Sequence, residues 1–193
     1  MRIPTLRILS LGPLALATLA LPACSVVQAP TSLVQVNYIF ASQVDVDIAG
    51  RPNRDDDTTG YWVSYEFLKM RENANLAISY IDRDDDLQGK PAQRIDTQAL
   101  RLQLRSHHGQ EGGLTWYLGP GIGYVLDATD TTGNSYDSTL FYDLELGVRI
   151  HLSEGFGLGA TADYASIGLD GGKGTRNVDL SGFTASIGAF VDF

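Results

Sequence analysis

The sequence predicts an all-β fold, an eight-stranded antiparallel up-and-down transmembrane β-barrel. Eight segments alternate apolar residues with polar or small ones, and a repeat of two residues gives a β-strand two unlike faces. The connections between these segments are long and short in turn, so such a barrel would carry all its long loops at one end. Aromatic residues stand near the ends of the apolar faces, where a membrane has its interfaces.

Each predicted strand has about the length that a tilted strand needs to cross a bilayer, about 9–11 residues. The fourth segment sets three leucines against Arg101, Gln103 and Arg105. The sixth, "TLFYDLELGVRIHL", is the clearest, because every second residue from Leu140 to Leu152 is apolar or aromatic. In chain order the segments are 33–45, 61–69, 74–82, 97–107, 114–126, 139–152, 156–167 and 181–193.

The connections and the glycines indicate which face points outward. The long connections are 47–60, 83–96, 127–138 and 168–181, and the short ones are 70–73, 108–113 and 153–155. Many glycines stand on the polar faces, where they weaken a water-facing strand but suit the narrow interior of a small barrel. The apolar faces therefore point to lipid, whereas the rival fold, a soluble barrel of lipocalin type, would turn them inward.

The polar faces carry few charges, and these are of both signs. The bases are arginines, which suit confined pairing with carboxylates. A packed interior requires such pairing, because an isolated buried charge is very costly. We therefore expect Arg149, and at least one of Arg101 and Arg105, to contact Glu66, Asp143 or Glu145 and close the lumen. The predicted lumen charge network consists of Glu66, Arg101, Arg105, Asp143, Glu145, Arg149 and Asp163.

The first residues have the layout of a secretory signal peptide. Two arginines precede an apolar run that is too short for a stable transmembrane helix. Leu21-Pro22-Ala23-Cys24 resembles a bacterial lipobox, with Pro22 as an atypical occupant, so Cys24 is the predicted lipidation site; the alternative is ordinary cleavage nearby with an incidental cysteine. The predicted organisation is a signal peptide over 1–23, a periplasmic tether over 24–32 and a barrel over 33–193.

The last strand carries a family resemblance. "SGFTASIGAFVDF" ends on an aromatic residue with apolar residues at alternate positions before it. In this the chain resembles the small eight-stranded outer-membrane barrels of the OmpA and OmpX kind. The acidic "DRDDD" after the third strand and the glycine-rich later strands loosely resemble the YfaZ group. The resemblance implies the bacterial outer membrane, with Phe193 and Val191 as the signal read by the barrel assembly machinery. The chain departs from that family at Cys24, because such barrels are normally not lipoproteins.

The sequence shows little sign of catalytic or cofactor chemistry. The three histidines lie near the short turns, which should be periplasmic, whereas a barrel deacylase acts at the outer lipid face. His107 and His108 point to opposite faces of a strand, so they predict a solvated turn rather than a metal site. The acidic run from Asp82 to Asp86 lacks the glycine and glutamate of a calcium loop. We therefore expect no cofactor and no metal, and the acidic balance argues against nucleic acid.

The expected function is that of a structural or surface-interaction barrel without catalysis, with a closed lumen. Three alternatives remain open: a small-solute channel, a lipid A-modifying barrel enzyme, or a soluble lipocalin-like lipoprotein. The expected partners are outer-membrane lipids and lipopolysaccharide, and the expected state is a monomer. The lone cysteine permits no intramolecular disulfide, so stability must come from burial and backbone pairing.

Overall fold

The computed structural model describes residues 29–30, 32–48, 51–55, 58–87, 93–110, 113–172, 175 and 177–193, with backbone alone for 44–48, 51–55, 87 and 93. The predicted signal peptide, Cys24 and most of the tether lie outside the described residues. No helix in the described part is long and apolar enough to cross a membrane. The strands are β1 (Leu33–Ile48), β2 (Arg51–Asp55), β3 (Thr58–Arg71), β4 (Ala74–Leu87), β5 (Gln93–Gly109), β6 (Leu114–Asp130), β7 (Tyr136–Asp137), β8 (Leu140–Ser153), β9 (Phe156–Gly171) and β10 (Val178–Asp192).

Eight long strands form a closed antiparallel ring. The order is β1, β3, β4, β5, β6, β8, β9 and β10, and β10 pairs with both β9 and β1. Leu33 lies opposite Asp192, so the first and last strands meet along their whole length. The short strand β2 continues the register that β3 makes with β1, and β7 pairs with the end of β9. The predicted up-and-down barrel is confirmed.

The strands continue further than predicted at the long-loop end. β4 runs to Leu87, and β5 begins at Gln93, so much of the predicted loop 83–96 is strand. β5 and β6 have 17 residues each, well above the roughly 9–11 that cross a bilayer. The expected long loops are therefore largely β-hairpins that rise beyond the membrane-spanning part. The prediction was wrong here because the many charges of residues 83–96 are typical of a loop. The alternation of inward and outward side chains nevertheless continues through the acidic run, as in a strand.

Apolar side chains cover the outside of the ring, which confirms the transmembrane orientation and not the soluble rival. On β8, side chains from Leu140 to Leu152 are exposed at every second position, while Glu145 and Arg149 between them are buried. An aromatic girdle at the long-loop end consists of Tyr61, Tyr80, Tyr124, Tyr142 and Tyr164. A second band at the short-turn end consists of Phe67, Trp116, Phe156 and Phe193. Such paired bands are typical of the two membrane interfaces.

The interior consists of two layers. The half nearer the short turns is polar and holds the predicted charges; we name it the charged layer, made of Glu66, Arg101, Arg105, Asp143, Glu145, Arg149 and Asp163. From the aromatic girdle upward the interior becomes hydrophobic. This apolar layer consists of Ile39, Trp62, Ile81, Ile95, Ala99, Val125, Ala128, Phe141, Ala165, Ile167, Leu169, Val178 and Leu180.

The outer face changes with the inner one. Above the girdle the outward side chains of β4 and β5 are mostly acidic, as Asp82, Asp84 and Asp96 show, with Arg94 among them. On the same strands Ile81 and Ile95 point inward and are buried. The upper part of the ring is thus mainly apolar inside and polar outside, as in a soluble barrel, with one buried ion pair inside, Arg83 with Asp85 at 2.8 Å.

Candidate functional site: the charged barrel interior

Arg101 connects three carboxylates across the lumen. Its guanidinium lies 2.8 Å from Glu145 Oε2, 3.2 Å from Asp143 Oδ2 and 3.1 Å from Asp163 Oδ1. Gln103, two residues along β5, donates a second hydrogen bond to Asp143 over 2.6 Å. Only β6 lies between β5 and β8, and its Gly121 has no side chain to separate the polar groups of the two strands.

Glu66 is the second centre, and it lies against three basic side chains. Arg149 Nη2 and Arg105 Nη1 both approach Glu66 Oε1, at 2.5 Å and 2.9 Å. His107 Nε2 lies 3.1 Å from the other carboxylate oxygen, to which Asn75 also donates a hydrogen bond. Because Arg105 also lies 2.9 Å from Glu145, it joins the two centres into one network.

Aromatic rings separate the arginines and support them by cation–π contacts. The Arg149 guanidinium carbon lies 4.4 Å from the centre of the Tyr117 ring, and that of Arg105 lies 4.9 Å from the same ring. Trp62 lies 5.4 Å from Arg101 and 5.6 Å from Arg105. Each arginine therefore has both an anion and a ring face, which suits the delocalised guanidinium.

The interior glycines make room for these large side chains. A Cβ built on Gly147 would collide with the Tyr117 ring, and one on Gly123 would collide with Phe141. A Cβ on Gly119 would approach Arg105 Cγ to 3.0 Å. The glycine-rich inner face is thus explained by side chains from neighbouring strands that lie across it.

Ala29 and Pro30, two described residues of the predicted tether, lie at the short-turn end of the barrel. The Ala29 N–H donates to the carbonyl of Glu72 over 2.7 Å, and Asn75 Nδ2 donates to the carbonyl of Pro30 over 2.8 Å. Ala29 is buried. Residues 29–30 therefore lie below Glu66, at the entrance to the charged layer.

The seven predicted interior residues all lie on the inner face, and ion pairs connect every one of them. Sequence reasoning missed the polar side chains that complete the network, namely Gln35, Asn75, Gln103 and His107. Gln35 and Gln103 stood on the polar faces, so the alternation alone could have found them. The solvated-turn interpretation of His107 and His108 was wrong. His107 is buried against Glu66, and His108 stacks on Trp116 with ring centres 4.4 Å apart.

No group of three or more His, Cys, Asp or Glu side chains in the described residues is arranged to hold a metal ion.

His151 lies between two acceptors at the short-turn rim, Gly113 O at 3.3 Å and Asp192 Oδ2 at 3.2 Å. This arrangement connects the β5–β6 turn to the last strand. Chemically the interior offers paired charges, since each arginine of the charged layer lies against at least one carboxylate.

A closed ring of eight antiparallel strands with an apolar belt outside and paired charges inside defines an integral membrane β-barrel. The chain belongs to the family of the outer membrane protein beta-barrel domain, which matches residues 12–189. Its place is therefore the outer membrane, and the predicted resemblance to the small eight-stranded barrels is confirmed. The looser resemblance to the YfaZ group stays a prediction.

Solved structures of small outer-membrane barrels share the fold. Neisserial surface protein A superimposes with a TM-score of 0.62 at 15% identity, over 84% of this chain and 97% of that one. The outer membrane protein OprG from Pseudomonas aeruginosa superimposes with a TM-score of 0.57 at 14% identity, over 86% of this chain and 97% of that one. Ail, the attachment invasion locus protein of Yersinia pestis, superimposes with a TM-score of 0.50 at 14% identity, over 82% of this chain and 98% of that one. No curated protein matches the sequence.

Proposed function

We propose that this chain is a non-conducting outer-membrane barrel with a structural or surface-interaction role and without catalysis. The observation that carries the proposal is the filled interior. Arg105, Arg149, Tyr117, Phe141 and Phe190 are among its most deeply buried side chains. Eight strands leave an interior that side chains just fill. We therefore expect no continuous polar path for solutes through the two layers.

The surface role is supported by the upper hairpins. In such barrels the long-loop end is extracellular, and here it holds strands that continue beyond the girdle with an ordered apolar core. Their outward side chains are mostly acidic, as Asp84, Asp96 and Asp179 illustrate. A rigid charged rim suits contact with lipopolysaccharide or with another surface. We propose lipids and lipopolysaccharide as partners of a monomeric barrel.

Conductance in planar bilayers tests the closed lumen against the channel alternative. We expect no stepwise currents from the wild-type protein. Arg149→Ala should begin to conduct if water enters the space beside Tyr117, whereas the control Leu146→Ala, on the lipid side of the same strand, should stay silent. Reproducible steps from the wild type would contradict the proposal.

Lipid A analysis tests the enzyme alternative. The buried His107 contacts Glu66, and His151 lies between Gly113 and Asp192 at the short-turn end, which is periplasmic and away from the outer leaflet that holds lipid A. We expect unchanged lipid A by mass spectrometry in a strain that lacks the gene. Loss of a modified species, restored by the wild-type gene, would instead establish an enzyme.

Phe193 and Cys24 are proposed to act in assembly and anchoring. The Phe193 side chain points outward, and its N–H donates to Ser32 O over 3.0 Å, so it lies beside the seam between β10 and β1. Deletion of Phe193 should lower outer-membrane levels more than its lost burial explains, because the assembly machinery reads this residue.

Cys24→Ser should abolish palmitate labelling while the barrel still folds. A wild-type protein without palmitate label would reject the lipidation of Cys24. Normal outer-membrane levels of the protein without Phe193 would reject the role of Phe193 in assembly.

A further inference from the structure

A groove of about 580 Å³ lies on the outer wall of the barrel at the short-turn end. It extends from the β3–β4 turn across β5 to β6. Its floor coincides with a break in backbone pairing, since Leu104 and Arg105 have no Cα partners on β6 between Gln103 and Ser106. Pro120 stands at this break, and proline has no N–H to donate to the ladder.

The groove is polar at one end and apolar at the other. Arg71, Asn73 and Ser106 line the end nearest the short turns, and Leu104, Leu118 and Pro120 line the part deeper in the membrane belt. Asn73 Nδ2 donates to Ser106 Oγ over 3.4 Å, and His108 Nε2 lies 3.2 Å from the same oxygen. This direction of polarity is that of a phospholipid in the periplasmic leaflet, with its headgroup below and its chains above.

The charge at the polar end favours an anion. Arg71 is exposed and forms no ion pair with any residue in the described part of the chain, and exposed Lys69 precedes it by two residues. Within residues 69–75 the one acid is Glu72. Trp116, stacked on His108, marks the depth of the membrane interface. At that depth an arginine without a carboxylate partner lies at the level of lipid phosphates.

We propose that this groove binds one anionic phospholipid of the periplasmic leaflet. An acyl chain lies along Leu104, Leu118 and Pro120, and the phosphate accepts hydrogen bonds from Arg71 and Asn73, with Ser106 as a further donor. The proposal goes beyond the proposed function and is independent of whether the lumen conducts.

Quenching of Trp116 by brominated lipids tests the proposal. The folded protein is placed in phosphatidylcholine vesicles with increasing brominated phosphatidylglycerol or brominated phosphatidylcholine. Half-quenching should need about fivefold less of the anionic lipid, since one basic residue near the surface shifts binding by about that factor. Trp116→Phe gives the background from Trp62, which is buried inside the barrel.

Arg71→Ala should make the two brominated lipids equal quenchers, whereas Arg94→Ala, an exposed arginine at the opposite end, should leave the difference unchanged. Altered migration of boiled and unboiled samples verifies that both variants fold. Equal quenching in the wild type, or a preference that survives in Arg71→Ala, would overturn the proposal. Loss of the preference in inorganic phosphate, but not in chloride of equal ionic strength, would show a phosphate site instead and would also overturn it.

Discussion

The charged layer and the apolar layer occupy the same barrel but use opposite kinds of side chain. In the charged layer Arg105 and Glu66 are completely buried and paired at 2.9 Å. In the apolar layer Ile95, on the same strand as Arg105, is equally buried among other hydrocarbon side chains. β5 changes from one type to the other at the height of the girdle, where its pairing with β6 shifts register between Gln98 and Ala99.

The difference is set by what surrounds each layer. Within the membrane the outer face must be apolar, so the remaining face holds polar side chains that satisfy one another. Beyond the girdle the outer face meets water, and burial of apolar side chains inside becomes the favourable arrangement. A soluble barrel is apolar inside and polar outside. This pattern is wrong for the membrane belt, but it does describe the upper hairpins.

The largest expected effect is on the charged layer. Glu66→Gln keeps the size of the side chain but leaves Arg105 and Arg149 short of one negative charge. We expect a loss of about 3–5 kcal/mol in the free energy of unfolding, the cost of removing one partner of a buried pair. Urea titration in detergent measures it. Tyr65→Phe, on the lipid side of the same strand, should change stability by less than about 0.5 kcal/mol. If Glu66→Gln lowered the free energy of unfolding by no more than Tyr65→Phe does, the ion pairs would not stabilise the charged layer.

In the apolar layer, Leu180→Ala should cost about 2–3 kcal/mol, the lower part of the range for a buried leucine, since an upper hairpin can open locally. The loss should be the same at pH 5 and pH 8. On intact cells the β9–β10 hairpin should become more susceptible to protease. If instead the whole barrel unfolds at once and the hairpin gains no susceptibility, the two layers form one cooperative unit.

The charged layer is also sensitive to volume. Gly147→Ala should cost about 1–3 kcal/mol, because its methyl group would occupy the position of the Tyr117 ring. Gly172→Ala is the matched control, since nothing lies within 4 Å of a Cβ built there. Tyr117→Leu should relieve the effect of Gly147→Ala in the double variant. Additive losses in urea titrations would refute this steric interpretation.

A smaller effect concerns the acidic outer face. Burial, and then hydrogen bonding and repulsion from Asp96, raise the pKa of Asp84 to about 6, although Arg94 opposes the shift. Because the folded state binds this proton more tightly, stability falls as the pH rises from about 4 to about 6. Asp84→Asn should therefore raise the urea midpoint modestly at pH 7 and have no effect near pH 4. A destabilised variant at pH 7 would reverse the assigned sign.

The smallest expected effect is at the turn after β6. Burial raises the pKa of Asp130, but hydrogen bonds from Thr132 and Asn134 outweigh it and lower that pKa to about 2. The ionised carboxylate thus stabilises the turn at pH values above its ordinary range, and this contribution is lost as the pH falls towards about 2. Asp130→Asn should speed amide exchange at Thr132 and Asn134 at pH 7. Protection equal to the wild type would show that the turn does not need the charge.

The alternation of residues was sufficient to assign strands to the membrane and side chains to faces. It placed Arg149 inside and Leu146 outside correctly, because neighbours on a strand always point to opposite sides. It failed at 83–96, where charge was given more weight than period. It also failed to describe His107, whose partner Glu66 lies on a strand that is not adjacent to β5.

The sequence by itself determined the strands, the direction of each side chain and the need for the inner charges to be paired. Only the tertiary structure decided which charges meet. Arg149 donates to Gln35, a residue 114 positions away, and Arg105 bridges Glu66 and Glu145 from different walls. These contacts depend on the stagger and tilt of strands around the closed ring. A local repeat of two residues fixes the face of a side chain and not its height, so it carries no information about partners across the lumen.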